Sequence, residues 1–374
     1  MVWADAPAGS AQPGGRTGAG PEDDVTRRAD RSGETEDDSP FSGTLRTGLE
    51  YDSNAHRTSV QDATGDGLTR YFATLRGEFD GVEGSDVSVG LRQGGKLFFR
   101  EHGSDALLTR VDLQYRHRLS PALAGSFRAD MKDRQERTSG AGSDVPHQDY
   151  NRGGAGAGFG LGLGRFYANA RVGWRYFAFR PNPASSSHGP QSSASLSVQL
   201  HRNLRLRGLY TFAYRNFRSI RFVRRSVDGG DAVVQRSRQQ ELRNDVLHIG
   251  RIGGSYRGPF IVDLHYLLLH NVSNSYGQGM TRHGIELNTT VPLPLRLYLS
   301  AKLQLQRTNY EDPLFLSADL KVDEENRNSV VASLTRVVGE HWEIEGRYRL
   351  FIEEFGAASD YRRQTGFVGV GYVF

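Results

Sequence analysis

The sequence contains no cysteine, only three methionines and no long apolar run. Without cysteine, the chain can form neither a disulfide nor a thiolate metal site. Its apolar runs stay well short of the roughly 18 residues that a transmembrane helix requires. Lysine is scarce as well, because four of the 47 basic residues are lysine and the rest are arginine. These absences exclude a helical membrane protein. They do not exclude a transmembrane β-barrel, in which each strand carries only one apolar face.

Residues 1–40 differ in composition from the rest of the chain. They are rich in Gly, Ala, Pro, Asp and Arg, contain Trp3 as their one aromatic residue, and show no periodicity. This composition is typical of a disordered arm. Nine acidic residues and four arginines give the arm a net charge of −5, and the whole chain has +4, so residues 41–374 carry +9. The opening VWADAPAGS resembles the A-x-A end of a secretory signal peptide, and one interpretation is a remnant of such a signal.

From Phe41 to Phe374, segments of about ten residues alternate between apolar and polar side chains and are separated by turns. A period of two is typical of strands, whose successive side chains point to opposite faces. We count about 16 such segments, within a range of 14 to 18. Short and long connections follow each other in strict alternation, as in transmembrane barrels. The stretch 217–243 predicts a hairpin that continues two barrel strands beyond the membrane.

Aromatic residues on the apolar face cluster at the two ends of the segments, as interfacial belts do. Those near the short turns are Phe41, Phe79, Phe166, Tyr256, Phe260, Trp342 and Phe374, and those near the long loops are Tyr51, Tyr71, Phe99, Tyr176 and Tyr214. The sequence therefore predicts an all-β fold: a transmembrane antiparallel β-barrel of about 16 strands over residues 41–374, behind the disordered arm.

The stretch GGAGAGFGLGLG (153–164) places a glycine at every second residue. These glycines are Gly154, Gly156, Gly158, Gly160, Gly162 and Gly164. A dinucleotide-binding loop needs the spacing G-x-G-x-x-G between a strand and a helix, and this spacing is absent. The alternation predicts one strand with a glycine face toward the lumen. Two interpretations stay open: a bare groove along which a loop or a chain could pass, and relief of crowding where the sheet curves.

The C-terminal strand carries the most specific motif of the chain. Val368, Val370 and Tyr372 alternate toward a terminal Phe374, and this pattern resembles the last strand of bacterial outer-membrane β-barrel proteins of the porin-like type. The resemblance implies a bacterial outer-membrane location and recognition of this strand by the barrel-assembly machinery. It also implies that the N-terminal arm and the C-terminus lie in the periplasm. The stretch GLEYDSNAHR (48–57) is similar to the opening strand of barrels linked to polysaccharide or lipoprotein export, which implies periplasmic export partners.

Basic residues dominate the face opposite the apolar one, which would line the lumen. The candidate pore-lining residues are Arg46, Arg92, Arg110, Arg116, Arg128, Arg171, Arg175, Arg205, Arg207, Arg251, Arg296, Lys302, Arg347 and Arg349. On this face bases outnumber acids by about two to one. Arginine and lysine in a pore favour anions.

The chain shows no convincing set of catalytic residues. Asp263 and His265 share one face of a segment and could orient a base, but no serine nucleophile or second acid is identifiable by spacing. Metal-ligand spacings such as H-E-x-x-H are absent, so we expect no catalytic residue, metal site or cofactor. The seven arginines of residues 217–243 could contact lipopolysaccharide phosphates. The basic residues do not form a nucleic-acid-binding module.

The sequence therefore predicts a porin-like outer-membrane channel for hydrophilic, anionic solutes, and not an enzyme. One alternative is an export pore for an acidic exopolysaccharide that works with periplasmic partners. A second alternative is a plugged barrel that acts as an outer-membrane enzyme or a surface-binding protein.

Overall fold

The computed structural model describes residues 39–55, 63–81, 84–137, 149–226, 232–312, 328–352 and 362–374. The first half of the barrel consists of β1 (Phe41–Asp52), β2 (Asp66–Asp80), β3 (Ser85–Phe98), β4 (Ala106–Arg118), β5 (Leu123–Glu136), β6 (Tyr150–Leu163), β7 (Phe166–Phe179), β8 (Ser187–His201) and β9 (Leu204–Ile220). A hairpin of β10 (Phe222–Ser226) and β11 (Ala232–Arg236) follows. The second half consists of β12 (Leu242–Arg257), β13 (Ile261–Ser273), β14 (Met280–Leu293), β15 (Leu297–Tyr310), β16 (Asn328–Val338), β17 (Trp342–Ile352) and β18 (Arg362–Val373).

Sixteen of these strands form one closed barrel, in which every strand pairs with its neighbour along the chain. The pairs are antiparallel throughout, and β1 closes the ring because it pairs with both β2 and β18. This confirms the predicted all-β barrel and its strand count. The predicted arm, residues 1–40, lies outside the described residues apart from Ser39 and Pro40.

The hairpin between β9 and β12 differs from its prediction. Instead of extending two barrel strands, β10 and β11 pair with each other in a separate two-stranded sheet. Strand β9 already ends at Ile220, and β12 pairs directly with β9 across the gap, with a register shift between Leu242 and Asn244. The turn residues 227–231 lie outside the described residues.

Connections at the two ends of the barrel differ in length, as predicted. At one end, turns of two to four residues join the strands; at the other, the connections span six to 21 residues. Two short 3-10 helices, His102–Ser104 and Pro183–Ser185, lie in connections of the long-loop end. We call the two ends the turn end and the loop end.

The outer face of the barrel is apolar. Val172, Ile252 and Val368, for example, are each about two-thirds exposed (66%, 66% and 67%). Aromatic side chains are exposed at both rims, among them Phe41 and Trp342 at the turn end. A soluble protein would bury such a belt, so the belt shows that the barrel crosses a membrane. Among the described residues, no helix is long and apolar enough to span a membrane.

Candidate functional site

Charged side chains occupy the face of each strand opposite the apolar belt, and so line the lumen. On β7, Val172 and Trp174 are exposed on the outside, while Arg171 and Arg175 alternate with them on the inside. Strand alternation alone produces this arrangement.

An ion pair across three strands shows how the lumen face is built. Arg46 of β1 reaches Glu343 of β17, with 2.8 Å between Nη2 and Oε2. Gly371 of β18 stands in register between them. A Cβ at Gly371 would lie 2.9 Å from Cγ of Arg46, so the absence of a side chain at 371 lets the arginine lie flat across β18.

The wall formed by β17, β18, β1 and β2 has matched charges. Arg46 contacts Glu345 as well as Glu343, and Arg70 lies 2.6 Å from Glu50. A further pair on this wall is Arg347–Glu345 at 3.2 Å, and Lys96 of the adjacent strand β3 lies 3.9 Å from Glu50. Glu50 and Glu345 are buried. Glu50, Glu343 and Glu345 therefore each have a cation within 4 Å.

A second matched group lies on β12, β14 and β15. Glu286 accepts a hydrogen bond from Arg251 at 2.8 Å and lies 3.5 Å from Nζ of Lys302. His265 stands opposite Glu286 in the β13–β14 register. Asp263 faces the lumen two residues away, but no ion pair or hydrogen bond joins it to His265 among the described contacts. In the part of the chain that the structure describes, no three metal-ligating side chains come together.

The wall formed by β3 to β7, which we call the cationic wall, has a different charge pattern. Arg92 stands opposite Arg110, Arg110 opposite Lys132, and Lys132 opposite Arg152. Side chains directly opposite on antiparallel strands lie about 4.5–5.5 Å apart at Cβ, and like charges there repel. The acids Asp112 and Asp130 form the adjacent row. Four cations on four consecutive strands thus produce a strongly positive surface.

A cavity opens in the cationic wall beside the glycine strand β6. Its polar lining comes from Arg110, Arg128, Asp130, Arg171, Arg175, Gln191 and Ser193. Asp130 lies 3.7 Å from Arg175 across Gly154. Four guanidinium groups and one carboxylate therefore line this cavity, an arrangement suited to an anionic ligand.

The glycines of β6 allow β7 to approach closely. A Cβ at Gly156 would lie 2.6 Å from the carbonyl oxygen of Val172, and one at Gly158 would lie 2.4 Å from that of Ala170. A Cβ at Gly160 would meet the Tyr167 hydroxyl at 2.5 Å. The glycines therefore let β7 pack closely against β6, and Gly154 and Gly156 also line the cavity described above. Both interpretations of the glycine face stay predictions.

Gly162 and Gly164 lie at the turn end of this glycine series. Gly162 is the next-to-last residue of β6, whereas Gly164 has a φ of +58° and lies in the turn to β7. A left-handed backbone at this position favours glycine. Gly164 therefore serves the turn and does not line the lumen.

Most of the other predicted pore-lining residues lie in strands on the lumen face. Arg116, Arg205, Arg207 and Arg349 belong to this group. The prediction that Arg296 lines the pore is wrong, since Arg296 lies in the turn between β14 and β15 with a φ of +56°. Its guanidinium donates to the Gly339 carbonyl oxygen at 3.1 Å. The alternation of PLPLRLYL continues through this turn, which is why periodicity alone misplaces Arg296.

Close packing at the loop end of the lumen is a feature that the sequence pattern did not predict. Leu247 and Met280 are fully buried there together with Leu269. A second cluster joins Leu68 and Phe98. These apolar residues occupy lumen-facing positions, where the alternation would place polar side chains. In β13 the run LHYLLLH breaks the polar–apolar alternation in this way. This break in the sequence could have indicated the packing. The packing narrows the lumen at its loop end.

The terminal strand β18 closes the barrel. Phe374 and Gly43 of β1 exchange backbone hydrogen bonds of 2.9 and 3.1 Å. Val368, Val370 and Tyr372 are exposed on the outer face, and the Tyr372 ring lies 5.1 Å from that of Trp342. The residues of the predicted assembly motif thus form one continuous outer surface beside the barrel seam.

Comparison with known proteins gives structural matches at low sequence identity. No family model matches the chain, and no curated protein matches it. A triple mutant of the porin of Rhodopseudomonas blastica is 12% identical, with 89% of this chain and 99% of that chain covered and a TM-score of 0.40. A loop-deletion mutant of OmpT, an outer membrane protein of Vibrio cholerae, is 11% identical, with 89% and 98% covered and a TM-score of 0.45. The FrpB iron transporter of Neisseria meningitidis is 12% identical, with 91% and 71% covered and a TM-score of 0.46.

Proposed function

We propose that this porin-like barrel is an outer-membrane channel that passes small, hydrophilic, anionic solutes. The observation that carries the proposal is the cationic wall, where Arg92, Arg110, Lys132 and Arg152 stand side by side on four strands. Solutes that cross the lumen pass this wall.

The distribution of acids supports anion selectivity. Glu50, Glu286, Glu343 and Glu345 each have a cation within 4 Å, so their charges largely cancel at a distance. The four cations of the cationic wall therefore add to the positive field of the lumen. A low-dielectric wall around a water-filled lumen concentrates such a field and raises the local concentration of counter-ions.

The packed loop end supports small solutes over a polymer. Side chains such as Leu247 and Met280 occupy lumen-facing positions there and are themselves covered (both 0% exposed). A polysaccharide would need a wide, continuous path through this region. We therefore favour diffusion of small anions over export of an acidic exopolysaccharide.

Single-channel recording of the refolded protein in a planar bilayer with a KCl gradient tests the proposal. At about 0.1 M salt the Debye length is about 10 Å, so the charges of the wall are felt across part of the lumen. We expect steady conductance, with a reversal potential whose sign shows that chloride is more permeant than potassium. The double variant Arg128→Gln/Arg171→Gln should move the reversal potential toward zero, since it removes two charges from the cavity.

Arg336→Gln is the matched control, because Arg336 is exposed on the outer face of β16, between Leu334 and Val338 on the same face. Its reversal potential should equal that of the wild type. Preference for potassium in the wild type would contradict the proposal. A folded barrel without conductance would also contradict it and would favour a plugged barrel.

We further propose that the turn end faces the periplasm, with the N-terminal arm and the C-terminus on that side. Phe41 and Phe374 support this orientation, because both chain ends of the barrel lie at the turn end. A protease added to intact cells should leave an epitope in the 339–341 turn at the turn end uncut, and an epitope in the 221–241 connection should be cleaved.

A further inference from the structure

Polar, ionisable side chains interrupt the outer face of β12 to β15 near the loop end. His248 stands opposite His270, and His283 stands opposite Arg307. All four alternate with lumen-facing residues and so point outward, on the face that carries Ile252 and Leu268. We call these four residues the imidazole row. Ionisable groups on a membrane-facing wall are costly and are therefore candidates for a specific function.

Each imidazole of the row is held through the same ring nitrogen. Nδ1 of His248 lies 2.7 Å from the Tyr210 hydroxyl, and Nδ1 of His283 lies 2.6 Å from the Tyr266 hydroxyl. Nδ1 of His270 lies 3.0 Å from the Thr281 hydroxyl. When these hydroxyls donate to Nδ1, the ring proton resides on Nε2, on the other side of each ring. The row then presents three imidazole N–H donors beside the Arg307 guanidinium.

The strand surface around the row carries neutral and positive side chains. Among the described outward-facing residues of β9 and β12 to β16, the alternation places no carboxylate beside the row; the acid Glu311 lies just beyond the end of β15, next to Gly279. Clustered imidazole and guanidinium donors are suited to a phosphate group, which accepts several charge-assisted hydrogen bonds.

An apolar groove lies directly below the row, on the side nearer the middle of the barrel. Its lining includes Leu196, Tyr210, Ile252, Tyr266 and Leu268, with Gly208 and Gly250 at its base. A Cβ at either glycine would meet nothing within 4 Å, so the groove is open toward the membrane. We call it the outer groove.

Tyr210 and Tyr266 join the outer groove to the imidazole row. Their rings line the groove, and their hydroxyls hold His248 and His283. A ligand that fills both parts has an apolar chain toward the membrane centre and a polar head at the membrane boundary. A lipid of the surrounding bilayer has this orientation, and aromatic residues with polar tips are typical of that boundary.

We propose that the outer groove and the imidazole row bind one phosphorylated lipid from the loop-side leaflet. An acyl chain lies over Gly208 and Gly250, and the phosphorylated head group accepts hydrogen bonds from donors of the imidazole row. The site faces the membrane and not the lumen, so it does not depend on the proposed channel function.

Native mass spectrometry of the full chain in detergent tests the proposal, with lipid A carrying its two phosphates as the probe and dephosphorylated lipid A as its counterpart. We expect the wild type to retain the phosphorylated form at least tenfold more strongly. The triple variant His248→Gln/His283→Gln/Arg307→Gln should lose this preference. Gly250→Leu fills the outer groove and should weaken the retention of both forms.

Two control variants separate binding from folding. Arg336→Gln removes an outward charge outside the row, and Gly346→Leu fills an open outward position on β17. Both should retain lipid like the wild type, and heat-modifiable migration on gels should show that every variant is folded. Equal retention of the two lipid forms by the wild type, or unchanged retention by the variants, would overturn the proposal. A dimer mass abolished by Gly250→Leu would also overturn it, since a second copy would then occupy this face.

Discussion

Removing one partner of the buried ion pair of Asp52 and Arg363 should destabilise the barrel more than removing one partner of any exposed pair. Asp52 ends β1 and is fully buried, and Arg363 of β18 is 1% exposed. Nε of Arg363 donates to Oδ1 of Asp52 at 2.8 Å, Nη2 donates to the second oxygen, and the backbone N–H of Asn54 donates to Oδ1 at 3.1 Å. The pair joins the first and last strands, so it locks the closed barrel at its loop end.

Asp52→Asn removes the carboxylate charge and leaves the guanidinium buried. Breaking a buried pair in this way costs about 3–5 kcal/mol, or roughly two to three and a half orders of magnitude in the unfolding equilibrium. The pair of Arg76 and Glu78 provides a matched control on the lumen face of β2. Its Nε–Oε1 distance is 2.7 Å, but the Glu78 side chain is 37% exposed. Glu78→Gln should therefore cost about 1 kcal/mol or less.

Urea unfolding in phospholipid vesicles, followed by tryptophan fluorescence, measures both effects. Trp174 and Trp342 lie on the lipid-facing side and should change emission when the barrel leaves the membrane. The reasoning would be refuted if Asp52→Asn and Glu78→Gln lowered the free energy of unfolding equally. Additive effects of Asp52→Asn and Arg363→Gln in a double-mutant cycle would refute it as well, because two groups in direct contact should couple.

Three further predictions concern the glycine strand, the ion pairs of the lumen and the barrel seam. Gly156→Leu should abolish refolding, because its Cβ would lie 2.6 Å from the Val172 carbonyl oxygen. Gly346→Leu should refold normally, because a Cβ at Gly346 would meet nothing within 4 Å. Heat-modifiable migration on gels measures the refolding of both variants. Glu286→Gln should shift the reversal potential further toward chloride, since it releases two cations from their shared acid; a shift toward potassium would contradict the proposed pairing. Deletion of Phe374 removes the 2.9 Å backbone hydrogen bond that its carbonyl oxygen accepts from Gly43 at the seam. It should lower the amount of assembled barrel in cells more than it lowers the refolding yield in vitro. Equal losses would argue against recognition of the last strand by an assembly machinery.

The sequence by itself determined which face of each strand meets lipid and which faces the lumen. Strand geometry repeats every two residues, so local order is enough to place Arg171 and Arg175 inside and Trp174 outside. The same periodicity, together with the alternation of short and long connections, predicted the number of strands. Where the period is undisturbed but the chain turns, as at Arg296, the same reasoning fails, because a turn changes the direction of the backbone without changing the pattern of residue types.

Only the tertiary structure decided which charges neutralise one another. Arg46 lies almost 300 positions from its partner Glu343, and the two meet because ring closure places β1 and β17 on either side of β18. Register between neighbouring strands likewise set the row of Arg92, Arg110 and Lys132 and the packed loop end around Leu247. Pairing and packing depend on strand neighbours and on the offset between them, and neither quantity is encoded in the alternation of a single strand.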